Sequence, residues 1–123
     1  MEISLTKVLE TFRLYSGEAL DGTEADRDGL CRALCGECLD RVKARLRPEL
    51  TQEAASQAEA LAAVEAFAQL ALLDQAARPE SVSTPELQIR QGDRVRYAQA
   101  LLEEKRRAAG DILREEGFYF GEA

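Results

Sequence analysis

Apolar residues recur at three- and four-residue intervals along most of this chain, the spacing that puts them on one face of a helix. In ISLTKVLETFRLYSG, residues 3–17, Leu5, Val8, Leu9, Phe12 and Tyr15 share such a face, and Gly17 supplies a C-terminal stop. GEALDGTEA, with two glycines and several acids, reads as a loop. Thr23 and Asp26 then form a T-x-x-D start resembling a capping box. The helix they open runs to about Arg47, where Pro48 ends it. Its stripe is Leu30, Leu34, Cys38, Val42 and Leu46, widened by Cys31, Cys35 and Leu39, with Gly36 as its weak residue.

A third helix opens at Thr51 or Ser56 and reaches about Ala77. Leu61, Val64, Phe67 or Ala68, and Ala71 trace one face, and Leu70, Leu72 and Leu73 thicken it. Alanines surround that stripe, so neighbours can approach closely on more than one side, which makes this the expected central helix. The next stretch, ARPESVSTPELQIRQGDR, is punctuated by Pro79 and Pro85. Leu87 and Ile89 alternate with Gln88 and Arg90, the period of an extended strand, and Gln91-Gly92-Asp93 reads as a turn. A lone strand must pair, lie in water or dock on another chain. Asp93 is placed to cap a last helix whose stripe is Val95, Ala98, Leu101, Leu102, Ala109, Ile112 and Leu113, ending at Gly117 before the aromatic run Phe118-Tyr119-Phe120. The expected fold is all-α: one domain over 1–123, a compact bundle of about four helices, with one extended segment or short hairpin before the last.

Length and composition fit that reading. A chain of 123 residues, 46 % hydrophobic and 32 % charged, can bury one modest core under a heavily charged surface. The formal net charge of −7 disfavours phosphate-backbone contacts, so no specific nucleic-acid binding is expected. The densest basic run, Arg41, Lys43, Arg45 and Arg47, has every-second spacing that spreads it around a helix, as on a solvated surface. No basic segment with a long apolar run opens the sequence, so no secretory signal is expected. Glu59, Glu65 and Gln69 interrupt the most apolar stretch, 58–73, which argues against a membrane span.

The sequence contains no histidine, which removes Ser-His-Asp and Cys-His catalysis and most zinc sites. The acids around the first loop, Glu10 to Asp28, lack the order of a calcium loop and read as surface acidity. CRALCGEC, residues 31–38, carries cysteines at C-x3-C-x2-C, the spacing with which radical SAM enzymes hold a [4Fe–4S] cluster. Those enzymes need a barrel, a loop after a strand, and an aromatic residue before the third cysteine; here the segment is helical and that residue is Glu37. The same positions, i, i+4 and i+7, lie on the buried face with Leu34 and Val42, where cysteine acts as a small hydrophobe. A small helical-bundle enzyme or metalloprotein using Cys31, Cys35 and Cys38 is the competing reading of these thiols, and the expectation is no catalytic residue, no metal and no cofactor.

The order of elements resembles the small helical head–tail connector, or adaptor, proteins of tailed bacteriophages. LAAVEAFAQLALLDQA (61–76), STPELQIRQGDRVRYAQALLEEKRRAAGDIL (83–113) and GFYFG (117–121) carry the resemblance, over about the last half of the chain. It implies a virion structural protein that forms an oligomeric ring under the portal protein, extends the DNA channel, and meets a tail-side neck protein. Such a protein would be assembled in the bacterial cytoplasm and reside in the virion neck, without membrane contact. The acidic surface would let DNA pass without sticking. Leu87 and Ile89 would form a docking arm or a contact over the same chain's core. Phe118, Tyr119 and Phe120 would reach a neighbour or fold back. The competing expectation is an intracellular helical adaptor or regulatory protein that binds one protein partner in a groove.

Overall fold

The computed structural model describes residues 2–77 and 85–113, except the side chains of 85–92. Four helices appear in chain order: α1 (Leu5–Ser16), α2 (Ala25–Arg45), α3 (Ala55–Ala77) and α4 (Pro85–Ala108). A short 3-10 turn, Gln52–Ala54, leads into α3. The fold is an all-α bundle, as the periodicity predicts.

Local chemistry explains the ends of α1. The Ser4 hydroxyl accepts from the Lys7 N–H at 3.4 Å, and Gly17 takes the left-handed conformation (φ 79°) while its N–H donates to the Arg13 carbonyl at 2.9 Å. At α2 the expected Thr23–Asp26 box does not form. Glu24 is the N-cap without a side-chain cap bond. Asp21 instead accepts from both the N–H and the hydroxyl of Thr23, and Asp28 accepts from the Gly22 N–H at 2.6 Å. The carboxylates fold the loop on itself, a common alternative for Asx residues before a helix.

α3 is the hub. Helices α1, α2 and α4 all pack on it, α1 also meets α2, and among the described residues the α2 and α4 backbones do not approach each other closely. Its alanines make this geometry possible. Ala58, Ala62, Ala63 and Ala66 are fully buried on different sides of the helix, interleaved with Leu61, Val64, Phe67 and Leu70. A small side chain at the contact brings helix axes close, so one helix can carry three neighbours. By length and composition alone Gln52–Ala77 would pass as a membrane span, despite Glu59 and Glu65. Burial by three other helices accounts for its apolar character. Both acids are buried but partnered: Glu59 accepts from the Ser4 N–H at 2.8 Å, and Glu65 accepts from Arg45 at 2.7 Å.

The region before Val95 differs from the strand reading. Residues 85–92 belong to α4, so Leu87 and Ile89 sit in its first turns, not in an extended segment. Gln91-Gly92-Asp93 runs through the helix, not a turn, and Asp93 is no cap. Two alternating pairs are too few to specify a strand. Glu, Leu, Gln and Arg favour helix, and Pro85 occupies the first helical position, where its missing N–H costs nothing. Residues 78–84 lie outside the described residues. At the other end α4 stops at Ala108, short of the expected Gly117, and the chain turns to set Leu113 in an antiparallel bridge with Leu46. The Arg47 N–H donates to the Ile112 carbonyl at 2.9 Å, and the Arg47 guanidinium reaches the Leu113 carbonyl at 3.2 Å.

Candidate interaction surface

The three cysteines are fully buried on the face of α2 that carries Leu34, Leu39 and Val42 into the core. None is in a disulfide. Burial pushes the Cys31 thiol up to about 11 and the Cys35 thiol up to about 12. Cys38 is also raised by burial, although Arg41, whose guanidinium lies 3.3 Å from its sulfur, pulls the other way. These thiols therefore stay protonated at neutral pH, the opposite of a nucleophile or a ready metal ligand. Among the described residues no three Cys, Asp or Glu side chains converge on a point that could hold a metal ion.

Polar organisation is concentrated in two places. The first is a half-buried network at one end of the bundle. Arg27 on α2 makes paired bonds to Glu18 in the preceding loop, at 3.0 and 2.9 Å, and to Asp74 near the end of α3, at 2.6 and 2.8 Å. Arg94 on α4 adds a bond to Asp74 at 2.8 Å. It also lies over the ring of Phe67, 5.4 Å from the centroid, and Phe67 meets Tyr97 edge-on at 6.1 Å. The Asp74 carboxyl is held below its ordinary range by Arg27 above all, helped by Arg94 and opposed by partial burial. The Arg27 guanidinium is held charged by Asp74 and Glu18.

The second place is a groove of about 430 Å³ between α2 and α4, floored by α3. It lies where those two helices flank α3 without close approach of their backbones. Arg41 and Arg45 line it from α2, and Leu102 and Arg106 from α4. Ala68 and Leu72 form its apolar floor beside Glu65. Glu65 pairs with Arg45, while Arg41 and Arg106 make no ion pair among the described residues. A cleft with an apolar floor and arginines at the rim suits an acidic, partly apolar segment of protein. The sequence run Arg41–Arg47 gave no hint of it on its own. The signal lay in the four-residue spacing of Arg41 and Arg45, and recognising it needed the position of α4.

Of the residues singled out from the connector resemblance, Leu87 and Ile89 fall in α4 with side chains outside the described residues. Phe118, Tyr119 and Phe120 also lie outside the described residues. The large exposed apolar residues that are described are elsewhere: Leu5 and Leu14 on α1 (Leu14 83 % exposed), Leu30 on α2, Leu72 and Leu73 at the end of α3, and Tyr97 on α4. Compared with family models, with curated proteins and with solved structures, the chain matches none.

Proposed function

We propose that this chain is a structural protein of a phage or prophage virion, a head–tail connector that forms a ring under the portal protein and joins head to tail. Its work is assembly, with no catalytic step and no cofactor. The observation that supports this reading best is α3. It is an alanine-rich helix packed on several sides and followed by one long last helix, two of the elements on which the connector resemblance rests; the extended segment ending in Gly92-Asp93, also part of that order, is helical over 85–92. The acidic balance of −7 fits a wall past which DNA slides without counterion-releasing contacts. The helical state of 85–92 changes one part of the reading: an arm at Leu87 and Ile89 would dock as a helix turn, not as an added strand.

Mass spectrometry of density-purified particles, released by prophage induction in the source bacterium, tests this. The reading requires several copies of the chain per particle. Its absence from intact particles would overturn it.

The groove supports a second reading, an intracellular helical adaptor that receives an acidic segment of one protein partner. On that reading the chain co-purifies with a cellular protein and never with particles.

A further inference from the structure

The groove and the corner between α1 and α2 are complementary surfaces carried by the same chain. In the groove, Arg106 makes no ion pair among the described residues, and Arg41 hydrogen-bonds only the Cys38 sulfur, a weak acceptor, with the Glu65 and Glu37 carboxylates acting on it from beyond ion-pair distance. Leu72, 45 % exposed, lies open on the floor, and Leu102 is half-buried in the wall. The corner has the opposite character. Leu14 is the most exposed large apolar residue described, and Glu10 sits one helical turn before it on the same face. Asp21, Glu24 and Asp26 follow in the loop and first turn of α2, all exposed. Among the described residues only Asp21 of these makes a side-chain bond, to Thr23, and Arg13 acts on it electrostatically. Arg13 and Arg32 stand on the same corner, but Arg32 is turned to the Leu20 carbonyl at 3.4 Å. The corner is held in shape: Arg27 ties Glu18 to α3, and Leu20 is fixed at φ 53°.

We propose that the groove between α2 and α4 receives the α1–α2 corner of a second copy of this chain, with Leu14 over Leu72 and Leu102 and the corner carboxylates facing Arg41 and Arg106. The occupant is a second copy because both halves of the match are present on one chain. The contact joins two different patches and is therefore heterologous, the type that closes into rings when the rotation between subunits permits. It deepens the assembly reading above and rests on it only for its biological role.

Electrostatics set the conditions. Two copies at −7 each repel at long range, while the groove and the corner attract at contact. At about 0.1 M salt the Debye length is about 10 Å, so the overall repulsion is screened and the close pairs are less so. At about 1 M salt, where it is about 3 Å, the exposed pairs are screened too.

Sedimentation velocity on the full chain, carried to millimolar concentration in about 0.1 M salt, tests the contact. Two variants are compared with the parent, each confirmed as folded by its helical circular dichroism. One reverses the groove, Arg41→Glu with Arg106→Glu. The other blanks the corner, Glu10→Ser with Leu14→Ser. The parent exceeds its monomer mass of 13.6 kDa as concentration rises. Each variant alone stays monomeric, its Kd raised about tenfold or more. Mixed, the two variants form dimers and nothing larger, because one contributes an intact corner and the other an intact groove. A parent that stays monomeric overturns the proposal and leaves a different acidic protein as the occupant. So does a variant that associates like the parent, or a mixture that does not pair. None of these results bears on whether the chain is found in particles, so the two readings fail separately.

Discussion

Arg27 and Asp74 form a two-bond fork, at 2.6 and 2.8 Å, that ties the start of α2 to the end of α3. Because Arg94 shares Asp74 and Glu18 shares Arg27, one carboxylate and one guanidinium join the first loop to three helices. The side chains of Arg27 and Asp74 keep 27 % and 23 % exposure, so water tempers the pair. Asp74→Ala is expected to lower the unfolding free energy by about 1–2 kcal/mol, between the values for exposed and for fully buried pairs. Urea denaturation measures it.

The same carboxylate gives a pH signature. Its folded pKa lies below the ordinary value of 3.8, so the stabilisation is fully present above that value and is lost as pH falls further. The stability gap between the parent and Asp74→Asn should be constant near neutrality and shrink below about pH 4. A gap that persists unchanged at pH 2 in acid titrations of both proteins would show that the charge on Asp74 is not what stabilises.

Arg45 and Glu65 form an uneven pair. The Glu65 side chain is 9 % exposed and the Arg45 side chain 29 %. Removing the arginine strands a buried carboxylate, whereas removing the glutamate leaves an arginine that can turn to water. Arg45→Ala should therefore cost about 2–3 kcal/mol, more than Glu65→Ala. Equal losses in chemical denaturation would contradict this account.

The alanines of α3 are positions where size matters more than polarity. Ala62→Leu puts extra methylenes where the helix is fully buried, and should destabilise by about 1–3 kcal/mol or shift α3 against its neighbours. Thermal unfolding checks the first outcome. The same change at exposed Ala76 should have almost no effect.

The thiols should be silent in the folded protein. Cys31, Cys35 and Cys38 are expected to react with a disulfide reagent at neutral pH only after unfolding, and then all three together. With Cys31 and Cys35 raised to about 11 and about 12, folding favours the neutral thiol. Stability should accordingly fall as pH rises above the ordinary thiol value of 9.0, because the unfolded chain then loses protons that the folded chain keeps. Fast labelling of a native thiol would place it outside the core.

Much of the bundle was legible because its helices are long and amphipathic. Val8 and Phe12 on α1, the cysteine-bearing stripe of α2, and Val95 and Ala98 on α4 are buried where three- and four-residue spacing puts them; Ala109 and Ile112 are buried too, but in the turn beyond the end of α4. Leu5 on α1, Leu30 on α2, and Leu72 and Leu73 at the end of α3 are exposed instead, since each stripe is wider than the neighbour that covers it. The first turns of α4 were misread because Leu87 and Ile89 alternate over too short a distance to outweigh helix-favouring neighbours and Pro85. The groove and the Arg27 network were out of reach for another reason. They join residues up to 76 positions apart, from Glu18 to Arg94, and no local pattern records which helices flank α3.

The most direct test of the assembly account is electron microscopy of particles made by a strain from which the coding sequence has been deleted. The account predicts DNA-filled heads and separate tails, rejoined when the protein is supplied in trans. Complete, infectious particles from the deletion strain would contradict it.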